Sequence, residues 1–324
     1  MRYFVTGCTG FIGIHLCRLL IAEGHEVFGL VRNPQKVPQD IKGKLKEIKG
    51  GLEIFQQTDL RLPEVDVVIH LAAIITSKHS SDYMQINHEA VVHLLDAINT
   101  QSWKPKRLIL ASSLAAVGPN RDGNVLSESD TPQPIDPYGV AKLKAEQLLS
   151  GQPFPTTVFR PPVVIGPGDP AMLTVFKMVK SHFAALPMGK PQLLSFVYVE
   201  DLVNAIYVMS QNHSTARKLY FVTSEEVVTN RKIVDTIASE MKKKIFILFV
   251  PKFVVRLIMY VSTAVSVVFR VPNFYDYRQY KQMTTPSFIC TSRLLSEETN
   301  WRAKTSFNEA IRSCIEGYKK LGWL

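Results

Sequence analysis

The sequence predicts an α/β protein, a doubly wound parallel sheet joined to a smaller C-terminal substrate domain. Three observations point there. A glycine-rich turn, "TGCTGFIG", joins the first apolar run to the first amphipathic segment. Short apolar runs then alternate with segments of helical period as far as about residue 165. The chain is also long for one core at 324 residues, so a large domain with a smaller companion is expected.

Residues 2–6, "RYFVT", read as a short buried strand. After the glycines an amphipathic helix runs to about Glu23 and is stopped by Gly24. "HEVFGLV" is a second strand, and "VDVVIHLAA" is another apolar run, bounded by Pro63 and by polar sequence after Ile75. "YMQINHEAVVHLLDAIN" has helical period, and "KRLILASS" is again a strand. "PYGVAKLKAEQLLS" is a helix with Pro137 at an early position, where its missing N–H costs nothing. "TTVFRPPVVIG" reads as the next strand. This alternation implies right-handed βαβ units and a sheet covered on both faces. Beyond Gly166 the pattern loosens: "GPGDPAML" is loop-like, "FVYVEDLVNAIYVMS" is strand then helix, and "KLYFVTS" is a strand. The expected division is a first domain over 1–165, rejoined by segments near 193–224, and a substrate domain from 166–192 and 225–324.

Composition narrows the partners. The chain is 46% apolar with a formal net charge of +10, which suits an anionic ligand, a membrane surface or nucleic acid. The dense basic runs "KGKLKEIK" and "MKKKIF" carry no interleaved aromatics, so solvated faces are expected and nucleic-acid binding is not. Cys8, Cys17, Cys290 and Cys314 lack metal-ligand spacing, and His70, His88 and His93 form no ligand set. No metal site is expected. A reduced, cytoplasmic compartment is, because the chain opens directly in a strand and leaves no room for a signal peptide. The segment 245–271, "IFILFVPKFVVRLIMYVSTAVSVVFRV", is very apolar. Its longest uncharged run, between Arg256 and Arg270, is 13 residues, short of the ~20 that span a bilayer. A buried or partly buried helix is the first expectation. A wall for a lipophilic substrate, or peripheral membrane contact, is the alternative.

Two local patterns carry chemistry. Gly7, Gly10 and Gly13, with Thr9, Phe11 and Ile12 between and beside them, lie between strand and helix. Diphosphates bind where backbone N–H groups and the positive end of a helix dipole converge, and side chains at the glycine positions would block them. A glycine triplet alone means little; its place between strand and helix gives it meaning. The second strand ends "GLVRNP". Val31 takes the place of the acid that holds the ribose 2′-OH of NAD, and Arg32 follows. A guanidinium suits a 2′-phosphate, so NADP(H) is expected ahead of NAD. The second pattern is "PYGVAK": Tyr138 and Lys142 at i and i+4 share one helix face. A phenol with a pKa near 10 is a poor base at neutral pH, and a nearby ammonium is expected to lower it. "YRQYK" has the same spacing, Tyr277 to Lys281, but neither serine-tipped strand nor glycine turn leads into it.

The spacing T-G-x-x-G-x-x-G resembles that of the extended short-chain dehydrogenase/reductase family, whose fold is a Rossmann sheet. Further segments carry the likeness over nearly the whole chain. "TDL" (Asp59, Leu60) is similar to the family's adenine-contacting loop. "HLAA" (His70, Leu71, Ala72, Ala73) is similar to its fourth-strand signature. Asn87 stands where the family keeps an active-site asparagine. "SSLAAVG" (Ser112, Ser113) resembles its serine segment, and "RPPVVIGPG" (Pro161, Val163) and "FVYVEDL" resemble its later landmarks. The resemblance implies that Ser113 polarises the substrate oxygen, that Tyr138 is the acid and base, that Lys142 also holds the nicotinamide ribose, and that Asn87 supports them. The glycine turn, Arg32, Asp59, Leu60, Leu71 to Ala73, Ser112, Pro161 and Val163 would contact the cofactor.

Within the family, sugar-nucleotide enzymes usually carry an Arg-Asp pair where this chain has Leu194 and Ser195 in "QLLSFVYVEDL". Dehydratases carry Asp-Glu after the catalytic hydroxyl, where this chain has Leu114 and Ala115. The apolar 245–271 segment and the ending "YKKLGWL" look more like the 3β-hydroxysteroid dehydrogenase-like and dihydroflavonol reductase-like branches. The expected activity is an NAD(P)-dependent oxidoreductase interconverting hydroxyl and ketone on a hydrophobic small molecule. The alternatives are a nucleotide-sugar epimerase or dehydratase, and a catalytically weak NAD(P)-binding sensor. A monomer or a homodimer paired through helices 82–99 and 138–150 is expected.

Overall fold

The computed structural model describes residues 1–77, 79–120, 124–269 and 280–324. Tyr277 of the comparison pair lies outside them, as do residues 270 and 271 of the apolar segment. The chain opens with β1 (Arg2–Thr6), α1 (Phe11–Ala22) and β2 (Glu26–Val31). β3 (Leu45–Lys49) grows out of the basic run "KGKLKEIK" and forms a sheet edge, where lysines discourage pairing with other chains. β4 (Val67–His70) is buried throughout. α2 (Ser80–Met84) and α3 (Ala90–Thr100) are joined through one π turn, Gln85–Glu89, which contains Asn87. β5 (Arg107–Ala111), α4 (Pro137–Gln147) and β6 (Thr156–Arg160) follow.

The run "TTVFRPPVVIG" is two strands rather than one. β6 stops at Pro161–Pro162, which cannot donate to a ladder, and β7 (Val163–Ile165) pairs elsewhere. The loop-like "GPGDPAML" in fact starts α5 (Pro170–Lys180): the Asp169 carboxylate accepts from Ala171 N and Met172 N, and Pro170 occupies the first turn. The remaining elements are β8 (Phe183–Pro187), β9 (Leu193–Tyr198), α6 (Val199–Gln211), β10 (Lys218–Phe221), β11 (Val227–Thr229) and α7 (Asn230–Glu240). β12 (Phe246–Val250), α8 (Lys252–Phe269), α9 (Tyr280–Thr284), β13 (Ser287–Phe288), α10 (Arg293–Thr299) and α11 (Phe307–Lys320) complete the chain.

The main sheet has seven parallel strands in the order β10-β6-β5-β4-β1-β2-β3. Alternate residues of one strand enter opposite cores. Tyr3, Val5, Val67, Ile69 and Ile109 pack with α1 and α6, whereas Phe4, Val68, Leu108 and Leu110 pack with α3 and α4. Of the segment near 193–224, α6 and β10 lie with this sheet, while β9 pairs with β7, β11 and β13 in a second one. A third core joins α5, α7 and α11 around Phe176, Phe196, Phe307 and Tyr318.

The apolar segment is not one helix, and its helical part is partly buried rather than buried. It divides at Pro251 into β12, which pairs with β8, and α8. Over residues 252–265 of α8 only Met259 is buried. No described helix is long and apolar enough to cross a membrane.

Candidate active site

The strand order reverses between β1 and β4, and in such sheets the crevice beyond the carboxyl ends of those two strands is where ligands sit. Thr6 ends β1 and His70 ends β4. Thr6 Oγ1 lies 2.8 Å from His70 Nδ1, and Leu71 N donates to the Thr6 carbonyl at 3.2 Å. Gly7, at φ 72°, follows Thr6; a Cβ there would stand 2.7 Å from Ala72 N, so the two strand exits meet backbone to backbone. A Cβ on Gly13 would lie 2.1 Å from the Gly7 carbonyl, which is the close approach of helix to strand turn that only glycine allows. Gly10 caps α1 in an extended conformation, and no side chain caps the helix. The N–H groups of its first turn therefore point out of the helix end with the dipole behind them. These features fit a dinucleotide's diphosphate, with Gly10, Phe11 and Ile12 as the residues that would hold it. Thr9 is partly exposed beside them, and Phe11 stands edge-on to His15 with ring centroids 5.7 Å apart.

Leu71 and Ala72 are half-buried and Ala73 is exposed along the exit of β4. Asn87 fixes this exit. Its buried amide accepts from Ile74 N and donates to the Ile74 carbonyl, each at 2.9 Å. Asn87 is thus a positioning residue for the loop. Arg32 is exposed just beyond β2. Glu53 is held below the usual carboxylate range by the N–H groups of its own residue and Gly51, with Arg32 adding a smaller pull. Asp59 is exposed in a turn; Leu60 packs half-buried on the α3 side, its carbonyl accepting from Gln101 Nε2 at 3.0 Å.

Ser113, Tyr138 and Lys142 are brought together where β5 ends and α4 begins. The Asp136 carboxylate caps α4 by accepting from Gly139 N at 2.8 Å, and Pro137 occupies the first turn. Gly139 lets the helix press onto the serine segment, since a Cβ there would lie 2.2 Å from the Ala115 carbonyl. The Ser113 side chain neighbours the Tyr138 phenol and pulls its pKa down, and Ser113 Oγ accepts from Ala115 N at 3.1 Å. Tyr83 meets Tyr138 edge-on, ring centroids 6.2 Å apart. One turn along α4, buried Lys142 donates to the Ala111 carbonyl at the end of β5.

Desolvation dominates the electrostatics. It pushes the Tyr138 phenol up to about 12, with the Ser113 side chain opposing it. It brings the Lys142 ammonium down to about 8, with the Glu146 carboxylate opposing it. The expected lowering of Tyr138 by Lys142 is therefore not what the protein's own groups produce: burial raises the phenol, Lys142 is not among the groups that shift it, and the hydroxyl stays protonated at neutral pH. His70 is pushed to about 3, first by burial and then by the charge of Lys142. Among the described residues its Nε2 has no hydrogen-bond partner.

A buried polar layer that sequence reasoning missed lies beneath Lys142. Arg160 donates to Glu146 through Nε at 2.9 Å and Nη2 at 2.6 Å, and both side chains are almost fully buried. Ser112 donates to the same carboxylate, so its hydroxyl belongs to this layer. The available signal was Lys142 and Glu146 at i and i+4, with an arginine ending the next strand. Pro161 is buried, and its carbonyl accepts from Leu114 N at 2.9 Å, tying the serine segment to the exit of β6. Val163 is exposed on β7. Leu194 packs among apolar side chains. Ser195 is buried, donating to the Cys290 carbonyl at 3.3 Å and accepting from Cys290 N at 3.0 Å.

Comparison with known proteins bears on this cluster. The model of the NAD dependent epimerase/dehydratase family matches residues 3–222. A probable UDP-glucuronate 4-epimerase of Rhizobium meliloti (strain 1021) is 26% identical over 98% of this chain and 97% of its own. A 3 beta-hydroxysteroid dehydrogenase/Delta 5-->4-isomerase of vaccinia virus (strain Ankara) is 28% identical over 56% of this chain and 57% of its own. The structure of MoeE5 in complex with UDP-glucuronic acid and NAD superposes with a TM-score of 0.77 at 24% identity, over 99% of this chain and 100% of that one, a likeness of fold. With the glycine cradle, the switch-point crevice and the matched span in agreement, the chain belongs to the NAD dependent epimerase/dehydratase family, within the extended short-chain dehydrogenases/reductases.

Proposed function

We propose that this protein moves hydride between NADP(H) and a carbon bearing a hydroxyl or ketone on a lipophilic small molecule. The observation that carries the reading is the gathering of Ser113, Tyr138 and buried Lys142 at the end of β5 and start of α4, with the Lys142 charge felt by His70, which is bonded to Thr6 at the crevice. A bound nicotinamide supplies the hydride donor or acceptor. Ser113 holds the substrate oxygen. In reduction the protonated Tyr138 gives its proton to that oxygen, and in oxidation it takes the proton back. Lys142, one helical turn beyond Tyr138 and held against the Ala111 carbonyl, would hold the nicotinamide ribose. Arg32 supports NADP(H), because it is exposed where a 2′-phosphate would approach the end of β2.

For the substrate, Leu194 and Ser195 offer no cation for a sugar diphosphate, and Ser195 is tied to the Cys290 backbone. The vaccinia hydroxysteroid dehydrogenase is consistent with an apolar alcohol. A second reading, a nucleotide-sugar 4-epimerase, draws on the near-full-length likeness to the Rhizobium epimerase. Net nicotinamide turnover separates the two: a reductase consumes NADPH with a ketone, whereas an epimerase interconverts UDP-sugars without net consumption. Tyr138→Phe is expected to lower kcat by about 10²- to 10⁴-fold while NADPH affinity stays within about twofold. Full activity in that variant would refute the proposal.

A further inference from the structure

The helix α8 is amphipathic the wrong way round for a globular protein. Phe253, Leu257, Val261 and Val265 recur at intervals of four, the spacing that lines one helix face, and they face solvent with 74%, 63%, 54% and 43% of their surface exposed. Thr263, by contrast, turns partly inward, its hydroxyl donating to the Met259 carbonyl at 2.8 Å. The strand that feeds the helix continues the pattern, with Phe246 64% exposed. Isolated apolar side chains on a surface need no explanation, but a stripe of about three turns does.

The charges of the segment that carries the stripe say what covers it. From Met241 to Phe269 the chain carries Lys242, Lys243, Lys244, Lys252 and Arg256 and no acidic residue. All five are exposed. A second copy of this chain pressed on the same face would bring these cations against their counterparts, on a protein already at +10. An anionic lipid surface offers apolar depth for the stripe and negative headgroups for the rim. At 18 residues the helix is about 27 Å long, enough to lie in a membrane interface, and no described helix is of a kind to cross one.

We propose that α8 is a monotopic anchor that seats the protein on anionic membranes, its Phe253–Leu257–Val261 stripe in the acyl boundary and its lysines among the headgroups. The anchor is wired to the reacting helix. Tyr280 of α9 donates to the Lys252 carbonyl at 3.3 Å, Lys252 Nζ donates to the Thr284 carbonyl at 3.3 Å, and Gln282 of the same short helix donates to Asp136, the cap of α4. The anchor itself does not depend on the hydride-transfer reading, because vesicle binding and NADPH consumption are measured separately.

The test is co-flotation of the full chain with phosphatidylcholine vesicles containing 0 or about 30% phosphatidylserine, at low and high salt. Expected is binding to the anionic vesicles, weakened at least tenfold in neutral ones and by high salt. Phe253→Ser/Leu257→Ser should cut binding at least tenfold. Lys242→Gln/Lys243→Gln/Lys244→Gln should cut it on anionic vesicles alone. Both variants should keep the parent's melting temperature and NADPH affinity, which shows that they fold. The proposal is overturned if the chain does not bind anionic vesicles at low salt, or if the folded stripe variant binds as the parent does. It is also overturned if sedimentation shows a dimer that the stripe variant abolishes while vesicles are ignored.

Discussion

Gly139→Ala tests the central geometric claim, that the approach of α4 to the serine segment sets the Ser113–Tyr138 contact. The added methyl would sit 2.2 Å from the Ala115 carbonyl, where ordinary contact begins at 3.4 Å. Helix and turn must separate by about 1 Å, because the obstacle is backbone and cannot rotate away. Gly139 has no positive φ, so backbone strain does not enter, and alanine's better helix propensity works in the variant's favour by about 1 kcal/mol. Overpacking of this kind costs about 1–3 kcal/mol, offset in part by that gain. The catalytic effect should be larger than the effect on stability, since a displacement near 1 Å at the reacting atoms costs about 10²-fold in rate. The assay is kcat from NADPH consumption on the best ketone of a substrate panel, beside NADPH affinity from fluorescence quenching and the melting temperature. Expected is a kcat about 10²-fold lower, cofactor affinity within about twofold, and a melting temperature lowered by a few degrees. Val140→Ala, on the exposed neighbour, serves as the control and should change none of these. A kcat within about threefold of the parent in a folded Gly139→Ala protein would refute the reasoning.

Three further outcomes follow from the same structure. Glu146→Gln leaves Arg160 buried without its counter-charge and should lower stability by about 3–5 kcal/mol, read from denaturant unfolding; a loss below about 1 kcal/mol would mean that the pair is solvated. His70 has a folded pKa near 3, below its ordinary 6.5, so between those values the unfolded chain binds the extra proton. Its contribution is therefore present above pH 6.5 and lost as pH falls toward 3. His70→Asn, which keeps a polar atom near the Nδ1 position, should flatten the decline of melting temperature between about pH 6.5 and 4. Arg32→Ala should weaken NADPH at least tenfold and NADH less than twofold, by titration; equal effects would remove Arg32 from cofactor choice.

Much of the fold was legible because its signals are local. The short continuous apolar runs in "RYFVT" and "KRLILASS", the glycines beside turns, and Pro137 at a helix start each report on a few adjacent residues. The glycine cradle was legible for the same reason, since strand, turn and helix lie within one short stretch. Where signals competed the reading failed. Asp169 and Pro170 look like a loop until the aspartate is seen capping a helix, and Pro161–Pro162 breaks what apolar content alone joins into one strand. In 245–271, hydropathy predicts burial, yet hydropathy cannot report which apolar segments the core takes up: α5, α7 and α11 supply the third core, while much of α8 stays exposed.

The amino-acid sequence alone determined the Rossmann sheet, the phosphate turn and the types of side chain available for proton transfer, because these follow from spacing along the chain. Only the tertiary structure decided how those side chains behave. The Ser112–Glu146–Arg160 layer joins residues from two strand ends and a helix, and the Gly139–Ala115 approach joins helix to loop. The phenol of Tyr138 rises and the ammonium of Lys142 falls because folding removes water from both, and desolvation depends on everything packed around a group rather than on its neighbours in sequence.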